Sequence, residues 1–316
     1  MPRPRVIALS GGVGGAKLAL GLSRVLPPGD LTVIANTGDD FAHLGLAISP
    51  DIDTLLYTLA GLDNPETGWG RCDESWNFMA ALEALGGETW FRLGDRDLAT
   101  HIERTRRLHA GESLSQITED FRQRFGIATR ILPMSDDPVR TRVKTRDGWL
   151  DFQPYFVRQR CEPIISAIEF AGAGDARPQP ELLAALADPA LVAVIICPSN
   201  PFISIEPILA LRGVRAALHD CAAPVVAVAP IIGGRAVKGP TAKMMRELGI
   251  ETSAAAIARR YSDFIDAYIV DHDDAPSCTG LDCRAVPAKA LMETLADREA
   301  LARIALAAAN ILEPAQ

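Results

Sequence analysis

The sequence predicts an α/β protein built on a doubly wound, mostly parallel sheet. A short apolar run, residues 6–9, is followed at once by glycines, which suits a buried strand that ends in a tight turn. Residues 16–26 then carry apolar side chains at helical spacing, and residues 31–35 form a second apolar run. Strand, glycine loop, helix and strand in this order are the opening of a doubly wound sheet.

The same pattern returns in the second half of the chain. Residues 191–197, 225–229 and 267–270 are apolar runs, and each is followed directly by polar or glycine-rich residues. This succession is typical of parallel strands whose carboxyl ends carry ligand-binding loops. The alanine-rich tail, residues 287–312, predicts a closing helix.

The middle of the chain predicts an inserted layer of helices and one β-hairpin. The hairpin is indicated by the turn signal Asp147-Gly148 between two strand-like runs. The face of one helix that we expect to pack inward carries Leu98, Ile102, Thr105 and His109. We therefore predict a nucleotide-binding core formed by residues 1–60 and 160–316, with the inserted layer at 61–159 packed on it as one compact unit.

Composition narrows the classes of function. The chain has 316 residues, 48% of them hydrophobic, and a formal net charge of −8, which argues against a nucleic-acid or membrane-surface binder. Six cysteines occur without a CxxC pair, and the five histidines show no metal-ligand spacing. No apolar stretch reaches the roughly 20 residues of a membrane span or resembles a signal peptide. We expect a cytoplasmic protein with reduced thiols.

The first glycine loop reads SGGVGGAK at residues 10–17. Glycines between a strand and a helix place bare backbone amides and the positive end of the helix dipole at one spot, which favours an anionic ligand. The loop lacks the Gly-Lys-Ser/Thr ending of an ATP-type phosphate loop. A tight turn without a ligand is the alternative. The candidate binding residues are Gly11, Gly12, Gly14, Gly15 and Lys17.

A second group of polar residues flanks the predicted carboxyl end of the second strand. Its carboxylates are Asp39, Asp40, Asp51 and Asp53, and Asn36 and Thr37 lie beside them. Carboxylates on such loops hold a magnesium-type ion or accept a proton from an attacking hydroxyl. The alternative is structural, because a single aspartate here can cap a helix or close a turn. For the group as a whole we favour function.

Three further segments are candidates for anion contacts. Arg96 stands between two aspartates before a helix, where it either clamps a phosphate or forms a local ion pair. Ser199 and Asn200, between two prolines after an apolar run, form either a rigid polar corner for a ligand or only a turn. Lys238 belongs to a second glycine-and-lysine loop before a helix.

Together these segments resemble the 2-phospho-L-lactate transferases of deazaflavin coenzyme F-420 biosynthesis. The resemblance covers most of the chain and rests on the ordered motifs SGGVGGAK, NTGDD, SPDIDT, LGDRDLATH, ILPMSDDPV, CPSNP and PIIGGRAVKGPTAK. It implies a Rossmann-like core, a homodimer, and magnesium-dependent (Mg2+) transfer of a phospho-acid from a guanosine diphospho-donor to the deazaflavin FO, releasing GMP. The acid is lactate, enolpyruvate or glycerate, depending on lineage.

The resemblance also suggests roles for individual residues. Mg2+ would lie near Asp40, Asp51 or Asp53, and one of these carboxylates would orient the attacking hydroxyl of FO. Arg96 would hold FO or steady the transferred phosphorus. The guanosine diphospho-group would be held by Ser199 and Asn200, together with the amides of residues 11–15.

Two other functions are weighed against this one. A related branch of the superfamily binds nucleotide sugars in a regulatory role without catalysis, and it shares the first glycine loop. The full set of acidic motifs favours the transferase. A nicotinamide oxidoreductase is disfavoured, because Lys17 replaces the last glycine of its motif and Asn36 stands where an acidic residue would bind the ribose.

Overall fold

The computed structural model describes residues 5–236 and 239–311. Its strands are β1 (Val6–Ser10), β2 (Leu31–Ala35), β3 (Phe41–His43), β4 (Leu46–Ile48), β5 (Arg130–Pro133), β6 (Arg140–Thr145), β7 (Gly148–Asp151), β8 (Ile165–Ala171), β9 (Ala193–Ile196), β10 (Val225–Val228), β11 (Ile231–Ile232), β12 (Arg235–Ala236), β13 (Ala267–Asp271) and β14 (Arg284–Ala288). Its helices are α1 (Gly12–Val25), α2 (Pro50–Ala60), α3 (Asn77–Ala84), α4 (Asp95–His109), α5 (Leu114–Arg124), α6 (Pro180–Leu186), α7 (Glu206–Leu209), α8 (Val214–His219), α9 (Thr241–Glu247), α10 (Ala254–Arg259) and α11 (Leu295–Ala308).

Seven parallel strands form the central sheet, which confirms the predicted fold class. The strand order is β14-β13-β10-β9-β1-β2-β5, and the strand pairs in it are parallel. In the middle of the sheet Leu9 lies opposite Ile34 on one side and Ile196 on the other. From β1 the chain adds β2 and β5 on one side of β1, and it later returns to the other side of β1 as β9. The strand order therefore reverses between β1 and β9. Ligands of open α/β sheets bind at this point.

Both faces of the sheet are covered by apolar side chains, because residues on a strand alternate between the faces. Val6 and Ala8 point to the face covered by α1, α2 and α11, and Ile7 and Leu9 point to the opposite face. Helix α1 packs against both α2 and α11. This burial explains why the strands read as continuous apolar runs in the sequence.

The predicted insertion at 61–159 is not one separate layer. Strand β5 lies inside it yet pairs with β2 as the edge of the central sheet. Strands β6 and β7 form the predicted hairpin, but β8, assigned to the core, completes their three-stranded sheet. The predicted boundaries at residues 61 and 159 follow changes in composition, and a four-residue strand such as β5 is too short to change the composition of its segment.

Two predictions about individual elements are wrong. The tail is not helical throughout: residues 284–288 form β14, an edge strand that contains Pro287 and is therefore a poor strand signal. Helix α11 begins only at Leu295. On α4 the exposed fraction of Ile102 is 49%, whereas Arg104 is 1% exposed. The buried face of α4 is polar because its partner is a carboxylate.

Among the described residues, no helix is long and apolar enough to cross a membrane.

Candidate functional site

The loops that follow β1, β2 and β9 meet at one cavity of about 540 Å3. The glycine loop after β1 and Pro198–Asn200 after β9 both line it, as predicted for the point where the strand order reverses. Asp51 and Asp53, on the first turn of α2, line it from the side of β2. Part of the lining also comes from helix α4, through Asp97 and His101. The cavity is therefore shared between the sheet and the inserted helices.

The glycines of this loop allow close packing between strand ends. A Cβ on Gly14 would lie 2.5 Å from the carbonyl oxygen of Pro198. One on Gly15 would lie 2.4 Å from Ser10 Oγ and 2.5 Å from Ser199 Oγ. No side chain fits at these distances, so glycine is required here whether or not a ligand binds.

The first two amides of the loop are already used inside the protein. The Gly11 amide donates to Ser199 Oγ at 3.1 Å, and the Gly12 amide donates to Asp51 Oδ1 at 2.8 Å. A carboxylate thus occupies the position that an anion would take at the start of α1. A donor phosphate would meet the exposed edge of this loop rather than these two amides.

Asp51 links the glycine loop to the end of β2. Its Oδ2 accepts a hydrogen bond from Asn36 Nδ2 at 2.9 Å, and the same amide group donates to the carbonyl of Ile203 at 3.1 Å. Burial raises the pKa of Asp51 to about 6, although the hydrogen bonds from Asn36 and Gly12 oppose the shift. Asp51 therefore links the glycine loop to the loop after β2 and, through Asn36, to the segment around Ile203. Its negative charge is unfavourable at this buried position.

Asp39 and Asp40 are also buried, and the charges of Asp51 and Asp40 both act on Asp39. Neither carboxylate forms an ion pair with a cation in the described part of the chain. Burial raises the pKa of Asp40 to about 7, partly offset by Arg140, and Ser49 donates to its Oδ2 at 2.8 Å. Burial, and then the charges of Asp51 and Asp40, raise the pKa of Asp39. The Oδ1 atoms of Asp39 and Asp40 are buried without a hydrogen-bond partner in the described part of the chain. We call Asp39, Asp40 and Asp51 the uncompensated cluster.

A second acidic group lies on the wall between α2 and α4. Both terminal nitrogens of Arg104 donate to Asp53, and its Nη1 is also 3.3 Å from His101 Nδ1. The other ring nitrogen of His101 lies 3.2 Å from Asp97 Oδ2, and Tyr57 donates its hydroxyl to Asp97 Oδ1 at 2.6 Å. We call these five residues the compensated cluster, because Arg104 neutralises one of its two carboxylates.

The two clusters differ in how well they fit a divalent ion. Ligand atoms of Asp53, Asp97 and His101 lie within 4.8 Å of one another, the compactness of a metal site. However, the Arg104 guanidinium already contacts two of these three residues, and a second cation there would be repelled. The uncompensated cluster offers buried oxygens without partners, and Mg2+ binds through one or two carboxylates while keeping several waters. By charge the uncompensated cluster is the better fit, although among the described residues only Asp53, Asp97 and His101 place three ligand atoms within 4.8 Å of one another.

The side of the cavity away from the glycine loop is aromatic. Its ring-bearing wall residues are Trp69, Trp90, Phe91, Phe152 and Phe156. Phe152 and Phe156 stack with ring centroids 5.2 Å apart, and Trp90 contacts Phe91 edge to face at 5.8 Å. Such walls bind flat aromatic ligands through large contact areas.

Most of the residues that the sequence singled out come together here. The cavity is lined by Gly11, Gly12, Gly14, Lys17, Asp39, Asp51, Asp53, Ser199 and Asn200. Gly15, Asn36, Thr37 and Asp40 are buried but are not part of this lining, and Asn36 reaches it through its hydrogen bond to Asp51. Lys17 is half-buried and donates from Nζ to the carbonyl of Met292 at 2.8 Å.

One of the proposed residues is not brought into the cavity. The Arg96 side chain is exposed and is absent from the described lining, while its backbone amide donates to Glu74 at 2.8 Å. Its role therefore remains a prediction from the resemblance. Lys238 lies outside the described residues.

Sequence reasoning missed the ligand-facing side of α4. Asp97, His101 and Arg104 follow the spacing i, i+4 and i+7, which places them on one helix face. That spacing is visible in the sequence, but the face predicted to pack inward is the one with Leu98, Ile102, Thr105 and His109. The fourth missed contributor is Tyr57, whose pKa is raised by burial and by the neighbouring carboxylates Asp53 and Asp97.

Comparison with known proteins identifies relatives over nearly the whole chain. A family model described as "2-phospho-L-lactate transferase CofD" matches residues 6–307. A phosphoenolpyruvate transferase of Kitasatospora aureofaciens is 44% identical over 97% of this chain and 98% of its own. One from Streptomyces coelicolor is 42% identical over 98% of both chains.

Solved structures agree on the fold. A UPF0052-family protein from Bacillus halodurans superposes with a TM-score of 0.66 at 14% identity, covering 97% of this chain and 99% of that one. At this level of identity the match supports only the α/β architecture.

Proposed function

Because the chain belongs to the CofD family of 2-phospho-L-lactate transferases and is a phosphate-group transferase, we propose that it acts in coenzyme F-420 biosynthesis. It moves a phospho-acid from a guanosine diphospho-donor to the 5'-hydroxyl of the deazaflavin FO and releases GMP. The names of the relatives at 42–44% identity support phosphoenolpyruvate as the transferred group. Lactate and glycerate donors are the alternatives to be tested.

The observation that carries this proposal is the uncompensated cluster. Three buried carboxylates that form no ion pair with any described cation are costly unless a ligand balances their charge. A magnesium ion held by Asp40 and Asp51, with Asp39 beside them, would supply charge neutralisation for a diphosphate at the end of the glycine loop. Both orphaned oxygens, on Asp39 and Asp40, fit this ion.

The reaction needs positioning more than covalent chemistry. The oxygen of the FO hydroxyl forms a bond to the phosphorus that bears the acid, the bond from that phosphorus to the GMP oxygen breaks, and the hydroxyl proton leaves to a base or water. Ser199, Asn200 and the rim of the glycine loop hold the guanosine diphospho-group. The aromatic wall takes the flat ring of FO. No cysteine or serine nucleophile is required.

Product analysis tests the proposal directly. The purified protein is incubated with FO, Mg2+ and, in turn, the enolpyruvyl, lactyl and glyceryl guanosine diphospho-donors, and products are identified by mass spectrometry. We expect GMP and the enolpyruvyl phosphodiester of FO, with none formed in the presence of EDTA. If none of the three donors gives a phosphodiester of FO, the proposed function is wrong.

The resemblance further implies a cytoplasmic homodimer, which we propose for this chain. Size-exclusion chromatography with light scattering tests the dimer, since a mass near twice 33.9 kDa is expected.

A further inference from the structure

The charge distribution divides the cavity into two halves. The glycine loop and the uncompensated cluster occupy one half, next to the end of β9. The wall formed by α2 and α4 presents Asp53 and Asp97, two carboxylates whose side chains are 7% and 13% exposed. An unscreened diphosphate would be repelled by this wall, because like charges at short range disfavour each other. Its occupant is therefore the uncharged, hydrogen-bonding part of a substrate.

Asp97 is the better placed of the two carboxylates for direct contact. Asp53 has both oxygens bonded to Arg104, which lies behind the wall. Asp97 receives the Tyr57 hydroxyl on Oδ1 and faces His101 Nε2 at Oδ2. Each carboxylate oxygen has two lone pairs, so Asp97 keeps acceptor capacity for a ligand.

Contact with Arg104 sets the orientation of the His101 ring. Arg104 Nη1 lies 3.3 Å from His101 Nδ1, closer than Asp53 Oδ2 at 3.6 Å, and an arginine has only N–H donors, so we assign this ring nitrogen as the acceptor. The ring proton of the neutral histidine is then on Nε2, the nitrogen that faces Asp97. His101 and Tyr57 thus direct donors towards Asp97, and Arg104 acts on Asp97 through His101. Although burial raises its pKa, the contacts with His101 and Tyr57 prevail and hold the pKa of Asp97 below its usual value.

We propose that Asp97 binds the hydroxyl groups of the acceptor's ribityl chain, and that Tyr57 and His101 are positioning residues that hold its carboxylate towards the cavity. This inference rests on the proposed function, which makes FO the acceptor. An ionised carboxylate accepts hydrogen bonds from a polyhydroxyl chain, and the adjacent aromatic wall accommodates the ring to which the chain is attached.

The test measures binding of FO without donor, by its fluorescence. Asp97→Asn is compared with wild type and with Glu103→Gln, a control on the same helix whose carboxylate pairs with Arg106 outside the cavity. A deazaflavin with a plain alkyl chain in place of the ribityl chain is titrated in parallel. We expect Asp97→Asn to raise the Kd for FO at least tenfold and to leave the Kd for the alkyl analogue within twofold. Glu103→Gln should match wild type.

Three outcomes contradict the inference. An unchanged Kd for FO in Asp97→Asn removes the contact, and an equal loss for FO and the alkyl analogue shows a structural effect only. If Asp97→Asn does not fold, Tyr57→Phe is used, which removes only the hydroxyl donor; an unchanged FO affinity in that folded variant also overturns the proposal. Wild-type protein that binds FO but forms no product contradicts the proposed function alone.

Discussion

The two acidic clusters share one cavity but solve the problem of buried charge in opposite ways. In the compensated cluster, Arg104 is 1% exposed and binds Asp53 with both terminal nitrogens. In the uncompensated cluster, Asp40 and Asp51 have pKa values raised to about 7 and about 6 by burial. One cluster contains its own cation, and the other holds carboxylate oxygens that have no hydrogen-bond partner among the described residues.

This difference separates structural charge from functional charge. A buried ion pair closed by the protein's own side chains fixes the geometry of a wall. Carboxylates that are left with orphaned oxygens store unfavourable free energy until a cation or a proton arrives. Mutations in the compensated cluster should therefore lower stability, and mutations in the uncompensated cluster should lower activity.

Removing the internal cation should have the largest effect. Arg104→Met leaves Asp53 buried without its partner, and we expect a loss of about 3–5 kcal/mol in the free energy of unfolding, measured with urea. Arg106→Met is the matched control, because Arg106 lies on the same helix in an exposed pair with Glu103. The Arg106→Met variant should show no measurable change in the free energy of unfolding. Equal stabilities for the two variants would contradict the compensated cluster.

Removing one charge of the uncompensated cluster should abolish activity and leave the fold intact. Asp40→Asn is expected to lower kcat at least about 100-fold, equivalent to about 2.7 kcal/mol in the activation barrier, because the magnesium site loses a ligand. Without metal at pH 8 the variant should melt no lower than wild type, since a strained charge is gone. Asp147→Asn, in the exposed hairpin turn, is the control. Retained activity in Asp40→Asn would exclude a magnesium ligand there.

The same cluster predicts a pH dependence of stability in the absence of metal. Asp40 and Asp51 have folded-state pKa values above the usual 3.8, so the folded state binds protons more tightly than the unfolded state. Stability from these groups is complete below pH 4 and is lost as pH rises through 6 and 7. With EDTA, the melting temperature should fall between pH 5.5 and 8, and Asp40→Asn should flatten the profile. A flat wild-type profile would show that these charges are balanced internally.

The smallest effect is expected for Arg96, which belongs to neither cluster. Arg96→Ala should change kcat/KM for FO less than about threefold, because an exposed side chain outside the cavity contributes little. A loss above tenfold would restore the role that the family resemblance implies and would mean that the loop before α4 moves when FO binds.

The uncompensated cluster could be predicted from the sequence, whereas the compensated cluster could not. Asp39, Asp40 and Asp51 follow or flank a clear apolar strand, and the carboxyl ends of parallel strands share one edge of the sheet. Their proximity therefore follows from local pattern and topology. The pair Asp53–Arg104 joins residues 51 positions apart on two helices, and nothing in either helix alone specifies the contact.

The missed strand β14 has a similar cause. Its residues Arg284–Ala288 are few, contain a proline and lie at the edge of the sheet, so the strand depends on β13 to form at all. Short edge strands and charged helix faces both depend on tertiary partners. Sequence periodicity detects neither.

The close approach at Gly14 and Gly15 limits how the enzyme can move. With no room for a methyl group between the glycine loop and Pro198–Ser199, the two halves of the sheet are tightly packed at their seam and cannot move closer together. Any clamping of the protein on its substrates must be a motion of the outer helices and loops towards a fixed floor. Adaptation to ligands of different shape would then fall to the opposite wall of the cavity.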